Sequence, residues 1–363
     1  MQNFQNQTVL VTGHTGFKGS WLSVWLTHLG AKVIALSDEV PTKPAHYELI
    51  KNVITDEYRI DVRDSKTVYE IINNIKPNFI FHLAAQPIVL ESYRDPLNTF
   101  NTNTIGTANV LDALRQINHK CTAVIVTSDK CYDNVEWTRG YNEMDRLGGK
   151  DPYSGSKGAA ELVIRSYVHS FFNRPESNVR LGVGRAGNVI GGGDWAPFRI
   201  VPDCVRSWSK KNEKAELRNP HSTRPWQHVL EPLSGYITLA VFLSQNPDLN
   251  GEAFNFGPPA HQNHTVAELV NEIIANWPSS GWVDRSKDNN ANHEAGLLKL
   301  NCDKALHMLG WKTTLNFKET AQWTAEWYRT YYEKGEKTAL DITAKQIKEY
   351  MNLAKQRNSF KLG

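Results

Sequence analysis

The chain has 363 residues, 40% hydrophobic and 22% charged, with 11 Trp, a globular composition that excludes the disordered and fibrous classes. Its 41 basic and 38 acidic residues leave a net charge of only +3, too small a surplus to mark a nucleic-acid or membrane partner. A single core stops growing near about 250 to 300 residues, so two lobes are expected.

From Thr8 to about Val126, short β-branched runs alternate with helical stretches: TVLVT, then Ser20 to Leu29, KVIAL, Lys66 to Ile75, FIFHLA, Asn101 to Arg115 and AVIVT. This alternation predicts an α/β fold, a Rossmann-type doubly wound parallel sheet with helices on both faces. The near-continuous apolar runs agree, because parallel strands are covered on both sides. Asp151 to Phe172 reads as a long helix, with Asp151 as N-cap and Pro152 at the first helical position. The strand RLGVGRAG follows.

After Asn188 the texture changes to a glycine run, several prolines and HSTRPWQHVLEP, which reads as a smaller α/β substrate-binding lobe. Leu230 to Leu243 looks helical and EAFNFG looks like a strand, so the chain is expected to cross back. The predicted division is 1–187, with 229–257, for the first lobe and mainly 188–363 for the second. The polar segment Asp284 to Glu294 is expected to be an exposed loop. No run approaches the roughly 18 to 20 apolar residues of a membrane span, and a strand starting near Thr8 leaves no room for a signal peptide, so a cytoplasmic protein is expected. Cys121, Cys131, Cys204 and Cys302 form no CxxC pair; reduced thiols are expected, and no metal.

The stretch VLVTGHTGFKGSWL puts Gly13, Gly16 and Gly19 between the first strand and the first helix. Glycines there serve a tight turn, close approach of a pyrophosphate and helix–strand packing, and the helix N-terminus faces the phosphates. The spacing is TGxxGxxG rather than GxGxxG, and a purely structural glycine turn is the alternative. Asp38 follows the second strand, about 20 residues on, where an acid bonds the adenosine ribose and repels a 2′-phosphate. NAD is therefore favoured over NADP, although Lys18 and Lys43 keep NADP open. Asp61 and Val62, after the third strand, are candidates for the adenine.

DPYSGSKGAAE sets Tyr153 and Lys157 four residues apart on one helix face. A free tyrosine, with a pKa of about 10, is a poor base at neutral pH. A neighbouring ammonium and the helix N-terminus are expected to bring that value down, so that Tyr153 can take a proton from a sugar hydroxyl while hydride leaves the same carbon.

Together with the glycine loop, YxxxK resembles the extended short-chain dehydrogenase/reductase family over nearly the whole chain. HLAAQ (His82 to Gln86), Asn103, Ser128 and GRAGNVIGGGDW (Gly184 to Trp195) match as well. The resemblance implies a catalytic tetrad of Asn103, Ser128, Tyr153 and Lys157. It implies NAD contacts from Thr12, Gly13, Thr15, Gly16, Phe17 and Gly19, from Asp38, Asp61 and Val62, from Leu83, Ala84 and Ala85, and from Tyr153 and Lys157. It also implies pairing of the Tyr153 helix with its symmetry mate, hence a homodimer or a tetramer.

TSDKCYDN (Thr127 to Asn134) then raises a question, because relatives that only epimerise or reduce a sugar carry small, inert residues after the catalytic hydroxyl. Here the next two are Asp129 and Lys130. An added acid and a possible base suit 4,6-dehydration: oxidation at C4 acidifies the C5 proton, and an acid protonates the departing O6. Asp129 is expected to be that acid. Lys130 is expected to be the C5 base, or else an electrostatic partner of Asp129, and it departs from the acid pair of the dTDP-glucose dehydratases. With GHTGFKGSWL and TRPWQHVLEP, the pattern is similar to the CDP-glucose-dehydrating branch of the family. That implies CDP-glucose as substrate, with Gln86, Asn188, Arg199, Arg224, Trp226 and His228 on the substrate side; Trp226 and His228 could equally be packing residues. The rival readings are a sugar-nucleotide 4-epimerase and a non-catalytic NAD sensor.

Overall fold

The computed structural model describes residues 2–210, 213–259, 262–277, 281–288 and 297–360. The apolar runs become β1 (Thr8–Thr12), β2 (Lys32–Ser37), β4 (Phe79–His82), β5 (Cys121–Val126) and β6 (Val179–Ala186). Two further strands complete the sheet, β3 (Asp56–Arg59) and β7 (Ala253–Phe256). Their order is β7-β6-β5-β4-β1-β2-β3, with every pair parallel. The order reverses between β1 and β4, and such a switch point opens a crevice at the carboxyl ends of the strands.

Helices cover both faces. α1 (Phe17–His28) carries Trp21, Trp25 and Leu26 into one core; α2 (Ser65–Ile75) and α3 (Gly106–Leu114) carry Val68, Ile72, Val110 and Leu114 into the other. α4 (Pro152–Tyr167) starts as expected, the Asp151 carboxylate accepting from Ser154 N at 2.9 Å and Ser154 Oγ at 2.6 Å. It runs to Phe172 as read, its last turn, Val168–Phe172, being wound as a π-helix. Asn101–Ile105 is also a π-turn, preceding α3, and such bulges favour functional sites.

β6 ends near the cavity, and the chain then leaves the sheet. α5 (Leu230–Gln245) and β7 bring it back to the far edge. The remainder builds three two-stranded pieces: Val189–Ile190 with Gln227–His228, Thr223–Arg224 with His264–Thr265, and Ala215–Leu217 with Trp282–Asp284. The expected loop from Asp284 thus begins at a strand end, with a 3₁₀ turn at Ser286–Asp288; its continuation at 289–294 lies outside the described residues. Two C-terminal helices, α6 (Phe317–Lys334) and α7 (Ala339–Arg357), clamp this part onto α1. The clamp is aromatic: His46 stacks on Trp21 at 5.3 Å and meets Trp327 edge-on at 5.6 Å, while Trp25 meets Tyr350 at 5.5 Å. No helix among the described residues is long and apolar enough to cross a membrane.

Candidate active site

A cavity of about 1590 Å³ runs along the carboxyl ends of the strands and under the second lobe. Its floor at one end is the β1–α1 loop. Gly13 has φ +74°, and a Cβ on it would lie 2.6 Å from Ala84 N; a Cβ on Gly19 would lie 2.2 Å from Gly13 O. The loop is therefore pressed onto the next strand's end and onto its own helix, a fit only glycine permits. Gly16 is the N-cap of α1 and supplies no side-chain cap, so the first-turn N–H groups stay available to a ligand anion.

Farther along, Thr15 Oγ1 donates to Glu39 O at 2.7 Å and to Ser37 Oγ at 3.1 Å, which fixes the turn bearing Asp38. Asp61 accepts from Arg63 Nε at 2.7 Å, and the arginine holds the Asp61 carboxyl below its usual range although burial opposes it. Ser37, Asp38, Asp61, Val62, Leu83, Ala84 and Ala85 line this arm. A carboxylate beside a neutralised arginine accepts ribose hydroxyls and disfavours a phosphate. Lys18 is not part of this arm. Its ammonium lies 6.0 Å from the Tyr236 ring centroid, and burial, then Lys157 and Arg199, bring it down to about 8 while Asp129 opposes. The loop, the uncapped helix and this acidic arm fit a dinucleotide.

Thr12 and Asn103 do not line the cavity. Thr12 Oγ1 pairs with His82 Nδ1 at 2.7 Å and accepts from Ala84 N at 3.3 Å. Burial pushes His82 down to about 3, so its ring is neutral. Asn103 accepts from Gln86 N at 2.8 Å and donates to Gln86 O and to Ser156 Oγ. Both residues support the loops that do line it.

The other end gathers Ser128, Asp129, Lys130, Tyr153 and Lys157. β5 delivers the first three: Ser128 Oγ donates to Asp129 Oδ1 at 3.0 Å and accepts from Lys130 N at 3.2 Å. Lys157 Nζ lies 5.9 Å from the Tyr153 ring centroid. Here one expectation fails. Burial pushes the Tyr153 phenol up to about 12, with hydrogen bonding to Ser128 pulling the other way and the Asp129 charge adding to the rise. Desolvation outweighs the helix dipole and the distant ammonium, so Tyr153 rests protonated. Lys157 is itself brought down to about 8 by burial, against the pull of Cys131 and Glu161. Asp129 is raised by burial, against Lys130, the Ser128 bond, Lys18 and Arg224. A carboxyl so placed tends to hold its proton.

On the substrate side Asn188, Arg199, Arg224 and Trp226 line the cavity, together with Arg218, Asn219 and Ser222, which the sequence did not single out. Asp194, from the glycine run, fixes Arg199 at 2.8 Å. Trp226 is anchored by Nε1 donating to His264 O at 3.0 Å. Of the two readings open for His228, its position fits packing: it is fully buried, edge-on to Trp21 at 5.9 Å and to Trp323 at 5.9 Å, with Nδ1 accepting from Leu230 N. It belongs to the aromatic clamp and does not line the cavity. Sequence reading also missed a buried pair beneath the site, Glu161 with Arg185 at 2.8 Å, to which Thr127 Oγ1 donates at 2.5 Å. Glu161 follows Lys157 by one turn, the only available signal.

The geometry can be set beside known proteins. The GDP-mannose 4,6 dehydratase family model matches residues 10–324. CDP-glucose 4,6-dehydratase of Salmonella typhimurium is 44% identical over 97% of this chain and 98% of its own. Among solved structures, the dTDP-glucose 4,6-dehydratase of Bacillus anthracis in complex with NAD superposes with a TM-score of 0.73 at 21% identity, covering 91% of this chain and 99% of that one. The Thermus thermophilus UDP-glucose 4-epimerase complex with NAD gives 0.74 at 23%, covering 89% and 99%; both share the fold. A match spanning the glycine loop, the TSDK turn and the YxxxK helix places this chain in the GDP-mannose 4,6 dehydratase family, among the extended short-chain dehydrogenases/reductases.

Proposed function

We propose that the protein catalyses the NAD-dependent 4,6-dehydration of CDP-glucose to CDP-4-keto-6-deoxyglucose. The observation that carries it is Asp129, a buried carboxyl held by Ser128 at the Tyr153 end of the cavity; oxidation or epimerisation at C4 has no use for it. The Salmonella relative's name supports the choice of CDP-glucose. NAD, when bound, accepts hydride from C4 and returns it at C6, and its cationic ring favours the Tyr153 phenolate.

The residues divide the remaining work. Ser128 orients O4, and Tyr153 takes its proton. The 4-ketone acidifies C5, whose proton passes to a base, with Lys130 the nearest candidate by sequence. Asp129 protonates O6 and water leaves; the C5 proton is then restored. Tyr153 ends with one proton more and Asp129 with one fewer, so the two changes cancel over a turnover. Arg199, held by Asp194, and Arg224 face the diphosphate, for which a guanidinium gives charge-assisted, bidentate bonds. NAD is favoured over NADP because Lys18 sits with the catalytic groups rather than beside Asp38.

Two coarser features complete the proposal. Leu97, Phe100, Ile105 and Leu162 are exposed on helices that pack side by side, which supports a homodimer through that face. A cytoplasmic location suits an enzyme that uses NAD and a nucleotide sugar. The test is mass spectrometry of CDP-glucose, UDP-glucose and dTDP-glucose, each incubated with protein and NAD⁺. The proposal expects loss of one water from the CDP sugar alone; an isomer of unchanged mass would point to an epimerase.

A further inference from the structure

We infer that Gly187 is a positioning residue for the proposed acid: the side chain missing at 187 leaves the space in which the Asp129 carboxyl lies. The inference rests on the dehydratase reading and adds to it a cavity-lining residue that acts through Asp129.

Gly187 follows the last residue of β6, and Asp129 lies three residues beyond the end of the neighbouring β5. The strands are locked in register, with Val126 opposite Gly184 and Thr127 N donating to Gly184 O at 3.0 Å. This brings the carboxyl over the end of β6. A Cβ built on Gly187 would lie 2.7 Å from Asp129 Oδ2, 3.4 Å from Cγ and 3.9 Å from Cβ, and these are its three nearest neighbours. The backbone at this position does not require glycine, since its φ is not among the left-handed ones. Gly13 and Gly193, by contrast, have φ of +74° and +82° and would meet backbone or a packed ring. What a methyl group at 187 opposes is one carboxyl.

That carboxyl has one oxygen committed. Oδ1 accepts from Ser128 Oγ, so the proton needed at O6 resides on Oδ2, the oxygen over Gly187. A methyl at 187 pushes Oδ2 outward and strains the Ser128 bond, while Tyr153 and Lys157, fixed on α4, stay where they are. Displacing a reacting group by about 1 Å can cost about 100-fold in rate. The loss should therefore fall on water elimination and spare C4 oxidation.

The experiment is Gly187→Ala with two readouts. In single turnover with NAD⁺ and CDP-glucose, absorbance at the NADH band should rise within about twofold of the unmodified rate, while water loss by mass spectrometry slows about 100-fold. In an Asp129→Asn background the same change should add no more than about a further twofold, since the group it displaces is already disabled. Equal slowing of both steps, or an undiminished effect in the Asp129→Asn background, overturns the inference. The second readout needs no substrate: a crystal structure of Gly187→Ala should show the Asp129 carboxyl turned off Ser128 with the end of β6 unmoved. If the carboxyl stays and the strand retreats, the inference fails even where the dehydratase reading stands. If the parent protein dehydrates none of the sugars, that reading falls, and this structure still decides the role of Gly187. Should Gly187→Ala not fold, Gly187→Ala with Asp129→Ala should, because only the ordinary 3.9 Å contact to Cβ remains; failure of both overturns it.

Discussion

Asn103 grips the backbone of Gln86 at both ends, its Oδ1 accepting from Gln86 N at 2.8 Å and its Nδ2 donating to Gln86 O at 3.2 Å. The same Nδ2 reaches Ser156 Oγ on α4, so one amide ties the loop after β4 to the helix of Tyr153. Asn103→Ala leaves two half-buried backbone groups of Gln86 without their side-chain partner, at a cost toward the lower end of the roughly 1 to 3 kcal/mol that a fully buried unsatisfied group carries. A fall in the denaturant midpoint should accompany a slower turnover. Asn103→Asp, which keeps the acceptor and loses the donor, should fall between the two. Chemical denaturation followed by tryptophan fluorescence checks the order.

Tyr153→Phe removes the acceptor for the O4 proton and leaves the buried ring in place. Turnover should drop by about 10² to 10⁴, the span of general acid–base catalysis, and no NADH should accumulate in single turnover. Binding of CDP-glucose and of NAD⁺, measured by calorimetry, should change little. A non-catalytic sensor would show no kinetic change at all.

Lys130→Ala and Asp129→Asn should both stop at the ketone. C4 oxidation is spared, so the NADH band appears and persists while no water is lost. If Lys130→Ala dehydrates at the parent rate, Lys130 is an electrostatic neighbour of Asp129 and another group removes the C5 proton.

Glu231 predicts a pH effect on stability away from the site. Its carboxylate accepts from Leu315 N at 2.7 Å, Thr314 N at 3.0 Å and Tyr350 Oη at 2.7 Å, binding α5 to the C-terminal clamp. Burial nevertheless raises it to about 7, against those bonds. The folded value exceeds the ordinary carboxylate value, so the folded state binds a proton more tightly than the unfolded chain. The stabilisation is complete below about 4.5, the ordinary glutamate value, and is lost as pH rises through about 7. Glu231→Gln should flatten the melting temperature across that window in a differential scanning series.

What could be read ahead of the structure was local. The glycine loop, the Asp151 cap and the Tyr153–Lys157 spacing are short-range patterns, and they fold as short-range patterns must. β3 could be placed only by its position before Asp61 and not by a pattern of its own, because its sequence, DEYR, lies at the sheet edge and needs no continuous apolar run. His228 looked polar enough for a substrate, but Trp21 and Trp323, far away in the chain, enclose it. Lys18 and Gly187 illustrate the same limit. One reaches the catalytic end and the other makes room for Asp129 only because parallel strands bring distant residues to one edge.

The return of the chain through α5 and β7 to the sheet bears on how such proteins can be recombined. Because β7 pairs with β6, the three two-stranded pieces are built from separate segments, before α5 and after β7. Cutting the chain after β6 would strip the sheet of its edge strand and of α5, which buries Leu233, Ile237 and Leu239 against it. Exchanging substrate preference with a relative therefore calls for transplanting residues 188–228 and the stretch beyond 257 together, with junctions after β6, before α5 and after β7, in place of a single C-terminal swap. The register of β6 and β7 then serves as the alignment guide for every junction.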